Sequence, residues 1–212
     1  MLRALSLLLA TATVGTSSAA APFDSHQLGR SWQERPIEVV RAGDPRSAQR
    51  VLIVGCIHGN ECAGMAVTRR LVRIGPAGVD LWAIHNLNPD GLAGGSRGNA
   101  RGVDLNRDFG AFSQRESRIA RRLIRRIRPD VTIWFHQPQA VVRAWGRSRA
   151  AARRYARLAR EPYRELEWPR GAATRWQNGV GQIAFVVELP PGSLPAPAAR
   201  RHVEAVLRLA EG

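Results

Sequence analysis

Several short runs of this chain are almost wholly apolar, and three of them end on residues able to do chemistry. Val51 to Gly55 (VLIVG), Val79 to Ile84 (VDLWAI), Val131 to Phe135 (VTIWF) and Ile183 to Val187 (IAFVV) are short, β-branched and bounded by turn residues. Such runs predict buried strands. Ile37 to Val40 predicts a shorter first strand, and residues 22–36 are polar enough to predict only a lead-in. Between the strands the period changes. From Gly64 to Ile74 the spacing places Met65, Val67, Leu71 and Val72 near one helical face. Ser113 to Glu116 predicts a capping box opening a helix that runs through Arg126. Further helices are expected over Ser148–Glu161 and Pro197–Ala210. Asn88-Pro89-Asp90-Gly91 predicts a turn, and Gly94 to Asp108 a Gly/Arg/Asn-rich loop. Strands alternating with helices predict an α/β layer architecture with a largely parallel sheet.

The first residues follow a different pattern. Met1 to Arg3 is a short positive start, Ala4 to Val14 an uncharged apolar run, and Gly15 to Ala21 small and polar. This predicts a secretory signal peptide over residues 1–20, followed by a single domain over 21–212. The chain of 212 residues suits one domain with a real core. Export to the cell exterior, periplasm or wall is therefore expected, with a monomer as the default state. The net charge is +15, and all 32 cationic residues are arginine. Complete replacement of lysine points to nucleotide bias rather than to arginine-specific chemistry. The excess charge still favours an anionic cell envelope. No aromatic-plus-basic motif for specific nucleic-acid recognition is present. Cys56 and Cys62 are close enough in sequence for a disulfide, which an exported protein permits, but bridging demands a specific geometry and the pairing stays open here.

The candidate chemistry sits where strands end. His58-Gly-Asn-Glu61 follows the first core run, His136 the third and Glu188 the fourth. Ligands of α/β sheets bind beyond the carboxyl ends of strands, so these groups are expected to converge. Two histidines and a carboxylate form a catalytic zinc ligand set with one position open for water. Zinc lowers the pKa of a bound water from about 15.7 toward 7. A second, non-ligating carboxylate must then move the proton, and Glu188 suits that task. The oxyanion of the transition state wants a cation, which Arg97, Arg101 or Arg107 of the long loop could supply. Each motif alone is common; their order along the chain is what carries weight.

HGNE, NPDG, RGNARGVDLNRDF, the strand-end FH and the late FVVEL together resemble the M14 family of zinc carboxypeptidases. GRSWQERPI is similar to the opening of its bacterial murein peptide amidase branch. The resemblance implies a three-layer α/β/α fold with a mixed, mostly parallel sheet of about eight strands. It implies one zinc ion on His58, Glu61 and His136, with Glu188 as general acid/base. Asn106 and Arg107 would hold a substrate carboxylate, and Arg97 matches the oxyanion position, with Arg101 as its rival. The implied function is hydrolysis of an amide next to a free carboxylate, in peptides and possibly in murein peptides. Two alternatives stand beside it: an N-acyl amino acid deacylase of the aspartoacylase type, and a non-catalytic envelope-binding relative. Some positions depart from the family. Asp108 replaces the usual Asn and would lie beside the carboxylate clamp, and Cys62 stands where proline is common. Tyr155 and Tyr163 offer no counterpart to a substrate-capping tyrosine. Gly171 to Gly181, with Trp176 and Gln177, is the expected pocket wall.

Overall fold

In the computed structural model, which describes residues 23–211, the apolar runs form the middle of one eight-stranded sheet. The expected signal peptide lies outside the described residues. The strands are β1 (Asp24–Arg30), β2 (Pro36–Gly43), β3 (Arg50–Val54), β4 (Asp80–Ile84), β5 (Val131–His136), β6 (Val141–Ala144), β7 (Tyr163–Glu165) and β8 (Ile183–Glu188). They lie in the order β1-β2-β4-β3-β5-β8-β6-β7. Four of the seven pairings are parallel and three, β1/β2, β2/β4 and β6/β8, antiparallel. The sheet is thus mixed, with its parallel part at the centre. There β4, β5 and β8 are buried on both sides, which explains their unbroken apolar runs.

Helices α1 (Met65–Ile74), α4 (Arg149–Ala159) and α6 (Ala196–Ala210) cover one face, packing Val67, Leu71, Tyr155 and Val206 on Ile53, Ile133 and Phe185. On the other face lies α3 (Arg115–Ile127), which packs Ile119, Leu123 and Ile124 near Leu52, Trp134 and Val186. The short helices α2 (Pro89–Ala93) and α5 (Ala173–Gly179) are the other α-helices among the described residues. The result is three α/β/α layers. Along β5, Val131, Ile133 and Phe135 point into the first core, leaving Trp134 and His136 on the α3 side.

Several elements differ from expectation, each for a local reason. The polar lead-in forms β1, an edge strand that needs no apolar faces because it is largely exposed. The expected turn at Asn88 closes into α2, whose first turn is capped by the Asn88 carboxamide accepting from Gly91 N (3.0 Å). The predicted capping box does not form. Helix α3 starts at Arg115, and its entry is held by Asp108, which accepts from Ser113 N (3.0 Å) and Gln114 N (2.9 Å). Glu116 is instead buried against Asn99 Nδ2 (3.2 Å).

Candidate active site

At the carboxyl ends of β3, β5 and β8 the chain brings His58, Glu61, His136 and Glu188 into one cavity of about 330 Å³, with Arg97, Asn106 and Arg107 on its lining. The sheet register explains half of this. His136 and Glu188 are paired residues on neighbouring parallel strands, so both project to the α3 side at one level. Chain crossing supplies the rest. After β3 the chain goes to β4 on one side and then returns to β5 on the other, opening a crevice at the end of β3.

His58 and Glu61 stand on a tight turn closed by the Glu61 N–H donating to His58 O (2.9 Å). Gly59 in this turn leaves no room for a side chain: a Cβ there would meet the Gly91 carbonyl carbon at 1.9 Å. A disulfide joins Cys56 to Cys62 across the same turn, with Cα atoms 4.6 Å apart, within the usual bridging range. The pairing left open by the sequence is therefore made, and it encloses both candidate ligands.

The ligand atoms of His58, Glu61 and His136 all lie within 4.8 Å of one another. Glu61 Oε2 stands 2.9 Å from His58 Nδ1 and 3.2 Å from His136 Nδ1. Burial works to raise the Glu61 carboxyl, but the two histidines override it and hold it well below the usual carboxylate range. Burial pushes His136 down to about 4, leaving it neutral and able to donate a lone pair. A buried donor set of two neutral-capable imidazoles and one ionised carboxylate fits zinc.

Asp104, quoted in the sequence only as part of DLNR, has a distinct place. Its Oδ1 accepts a hydrogen bond from His58 Nε2 (2.9 Å), which leaves Nδ1 facing Glu61 Oε2 (2.9 Å). Its Oδ2 accepts from Arg97 Nε (3.1 Å), and the Arg97 guanidinium also reaches Glu61 Oε1. Arg97 is further fixed through its backbone, since Asn88 Nδ2 donates to Arg97 O (3.3 Å) and to Ile57 O (3.2 Å). Arg101 is not brought in. Its guanidinium lies 4.7 Å from the Trp32 ring centre, outside the cavity lining, because Asn99 turns the loop there by accepting from Arg101 N (3.0 Å). Of the two rivals, only Arg97 faces the site.

Asn106 is buried with its Oδ1 accepting from Ala173 N (2.9 Å), so its Nδ2 is the donor it has left to offer. Arg107 beside it is exposed to the cavity, with Nη1 donating to Asn106 O (2.8 Å). Gly171, at φ +81°, lies against this pair so closely that a Cβ would meet Arg107 O at 2.0 Å. Asp108 does not lie beside the clamp as expected. Its carboxylate is turned away to the start of α3, where Ser113 Oγ (2.6 Å) and Ser117 Oγ also donate to it.

Glu188 is buried, and among the described residues its Oε2 has no hydrogen-bond partner. Burial, with the Glu61 charge adding to it, pushes its carboxyl up to about 7. An unpaired carboxyl poised near neutrality and beside a metal-ligand set is suited to exchange protons.

The expected pocket wall is corrected. Trp176 packs on Phe109 and Phe112, and Gln177 is buried between Trp134 Nε1 (2.8 Å) and Thr132 Oγ1 (2.8 Å). Helix α5 turns these residues onto the sheet. The wall is made instead by Leu166, Trp168, Pro169 and Arg143, and no tyrosine lines it. Gln137 was also missed; its side chain ties the strand end to the β8 exit by donating to Pro190 O (2.7 Å) and Gly192 O (2.8 Å).

A family profile described as "Protein of unknown function (DUF2817)" matches residues 6–131. No curated protein matches the chain in sequence. Among solved structures, the chain is similar to the murein-tripeptide amidase MpaA from Escherichia coli O157, with 21% identity and a TM-score of 0.71 over 96% of this chain and 97% of that one. It is also similar to carboxypeptidase A from Helicoverpa armigera, with 16% identity and a TM-score of 0.75 over 91% of this chain and 68% of that one. A metallo-carboxypeptidase from Pseudomonas aeruginosa aligns at 21% identity and a TM-score of 0.69, over 88% of this chain and 64% of that one. The chain therefore has the metallocarboxypeptidase fold at nearly the length of the amidase, and spans about two thirds of the two carboxypeptidases.

Proposed function

Since the chain belongs to the family described as protein of unknown function (DUF2817) and has the metallocarboxypeptidase fold, we propose that it is a zinc-dependent hydrolase that cleaves an amide next to a free carboxylate. The observation that carries this is the meeting of a His/Glu/His donor set, an unpaired Glu188 and the Asn106–Arg107 pair in one cavity. Peptides are the substrate class, and wall peptides the preferred source. The fold shared with a murein-tripeptide amidase supports that source, as does the export predicted from residues 1–20. A disulfide at Cys56–Cys62 supports export too, because such bonds persist outside the reducing cytosol.

His58, Glu61 and His136 would hold the metal, with Asp104 orienting His58 from behind. Zinc, when bound, supplies Lewis acidity to the attacking water and the scissile carbonyl. Arg107 and the free Nδ2 of Asn106 bind the substrate carboxylate, where a planar guanidinium makes two parallel hydrogen bonds that lysine cannot match. That contact sets which amide faces Glu188. Glu188 takes a proton from the attacking water and returns it to the leaving nitrogen, and its raised affinity for protons makes both transfers accessible near neutral pH. Arg97 offers positive charge to the carbonyl oxygen as it becomes negative.

The test compares wild type with Glu188→Gln on peptides that end in a free carboxylate. Both proteins are expected to bind close to one zinc per chain, with hydrolysis reduced by roughly 10²–10⁴-fold in the variant. Zinc binding without hydrolysis of any peptide, but with cleavage of small N-acyl amino acids, would move the assignment to a deacylase. Failure of wild type to bind zinc would overturn the assignment outright.

A further inference from the structure

We infer that Arg143 makes the cavity selective for a second carboxylate, carried by the side chain of the residue released, so that dicarboxylic residues are the preferred substrates. This rests on the reading of the cavity given above and names the substrate class within it.

Arg143 lies on β6 opposite Val186 of β8, two positions before Glu188 and therefore on the same face of the sheet. It lines the cavity together with Arg107 and Glu188. On β6, one strand in from the sheet edge, Arg143 is half-buried between Val142 and Ala144, which are both buried, and a cation there is costly unless it is paired. Yet among the described residues Arg143 makes no ion pair, and its buried Nε has no hydrogen-bond partner. The carboxylates around it are committed elsewhere. Glu165 pairs with Arg149 (3.0 Å) and Glu167 with Arg175 (3.1 Å), while its register neighbour on β7 is another cation, Arg164. Glu188 bears on it electrostatically but forms no hydrogen bond with it. The Trp168 ring, 6.0 Å from the guanidinium carbon, gives it a flat wall rather than a counter-ion.

A cation so placed leaves fork-shaped donors facing a cavity that already holds a first carboxylate clamp at Asn106 and Arg107. At about 330 Å³ the cavity is at the small end of ligand sites, matching a single amino-acid residue rather than a longer stretch of peptide. Three arginines line the cavity; Arg97 is paired with Glu61 and Asp104, which leaves Arg107 and Arg143 to match a residue with two carboxylates. That chemistry is shared by the acidic amino acids and by the diaminodicarboxylic acids of wall peptides.

The experiment measures kcat/KM for peptide pairs that differ only in the released residue: glutamate against glutamine, and diaminopimelate against lysine. Calorimetric titration of the zinc-loaded protein with free glutamate and free glutamine accompanies it. Wild type is expected to favour the dicarboxylic member by roughly 10–100-fold, the range of a charge-assisted hydrogen bond. Arg143→Gln is expected to bring that ratio near one by lowering kcat/KM for the dicarboxylic member, with zinc content reporting that the site is still assembled. Arg143→Lys, which keeps the charge without the fork, is expected to retain part of the preference and guards against misfolding of the first variant. A preference shown in the diaminopimelate pair alone would assign the pocket to wall peptides, and one shown in both pairs to acidic residues generally. Absence of any preference, or a preference unchanged in Arg143→Gln, would overturn the inference. So would a variant that moves only the acid limb of the pH–rate profile, which would make Arg143 a positioning partner of Glu188. If no peptide is cleaved but glutamate binds in an Arg143-dependent way, the anion pocket stands and the catalytic reading falls.

Discussion

Asp104 shows how much of this site depends on residues that would touch neither metal nor substrate. It accepts one hydrogen bond from His58 and one from Arg97, so a single carboxylate aims both a candidate ligand and the candidate oxyanion cation. Burial opposes its ionisation, but the hydrogen bond from His58 and the charge of Arg97 hold it well below the usual carboxylate range. It therefore stays an acceptor at any pH where the enzyme would work. Asp104→Asn keeps the shape but removes the charge, and is expected to weaken zinc binding by roughly 10–100-fold. Competition against a chromophoric chelator measures this, and unchanged affinity would reduce Asp104 to a loop contact. Asp104 was readable in principle, since it stands within the DLNR motif beside the clamp. Arg143 was not, because one strand arginine among 32 carries no mark in the sequence.

Among the elements, legibility followed burial. Strands β3, β5 and β8 announced themselves because both faces must be apolar, and the candidate ligands and base follow where those runs stop. Edge strands β1 and β7 are mostly exposed, so their sequences carry no such pattern. Helix α5 hides for a different reason: its buried contact is Gln177, paired with Trp134 and Thr132, and a buried amide reads as surface in a hydropathy pattern. The entry to α3 depends on Asp108, five residues upstream of Ser113, a distance no local capping rule spans. Removing it in Asp108→Ala should cost about 0.5–2 kcal/mol, as for other lost caps. For a domain of this size that lowers Tm by roughly 2–4 °C per kcal/mol. Asp108→Asn keeps one acceptor oxygen and should lose less; equal Tm for wild type and Asp108→Ala in thermal melts would refute the assignment.

At the scale of the whole molecule, titration links the two cores. His136 at the site and His202, which meets Tyr155 OH (2.9 Å) in the opposite core, are both pushed down to about 4, chiefly by burial. Each takes up a proton more readily when unfolded, so their contribution is complete above about 6.5 and is lost as pH falls toward 4. Glu188 works in the opposite sense: its raised carboxyl favours the folded state at low pH, and that benefit disappears as pH rises through about 7. The metal-free Glu188→Gln protein removes the opposing term, so its denaturant midpoint should drop between pH 7 and pH 5 more steeply than that of wild type. A midpoint that stays level in that variant would show that the histidines are not buried neutral. The pairing of His136 with Glu188 across β5 and β8 has another consequence. Successive strand residues face opposite sides, so a one-residue insertion within β8 before Glu188 would swing it into the other core and bring a neighbour in its place. Relatives of this fold can therefore lengthen or shrink through their loops, as the shared architecture at such different chain lengths illustrates, while single-residue insertions or deletions in these two strands are expected to abolish catalysis in proteins that can still fold.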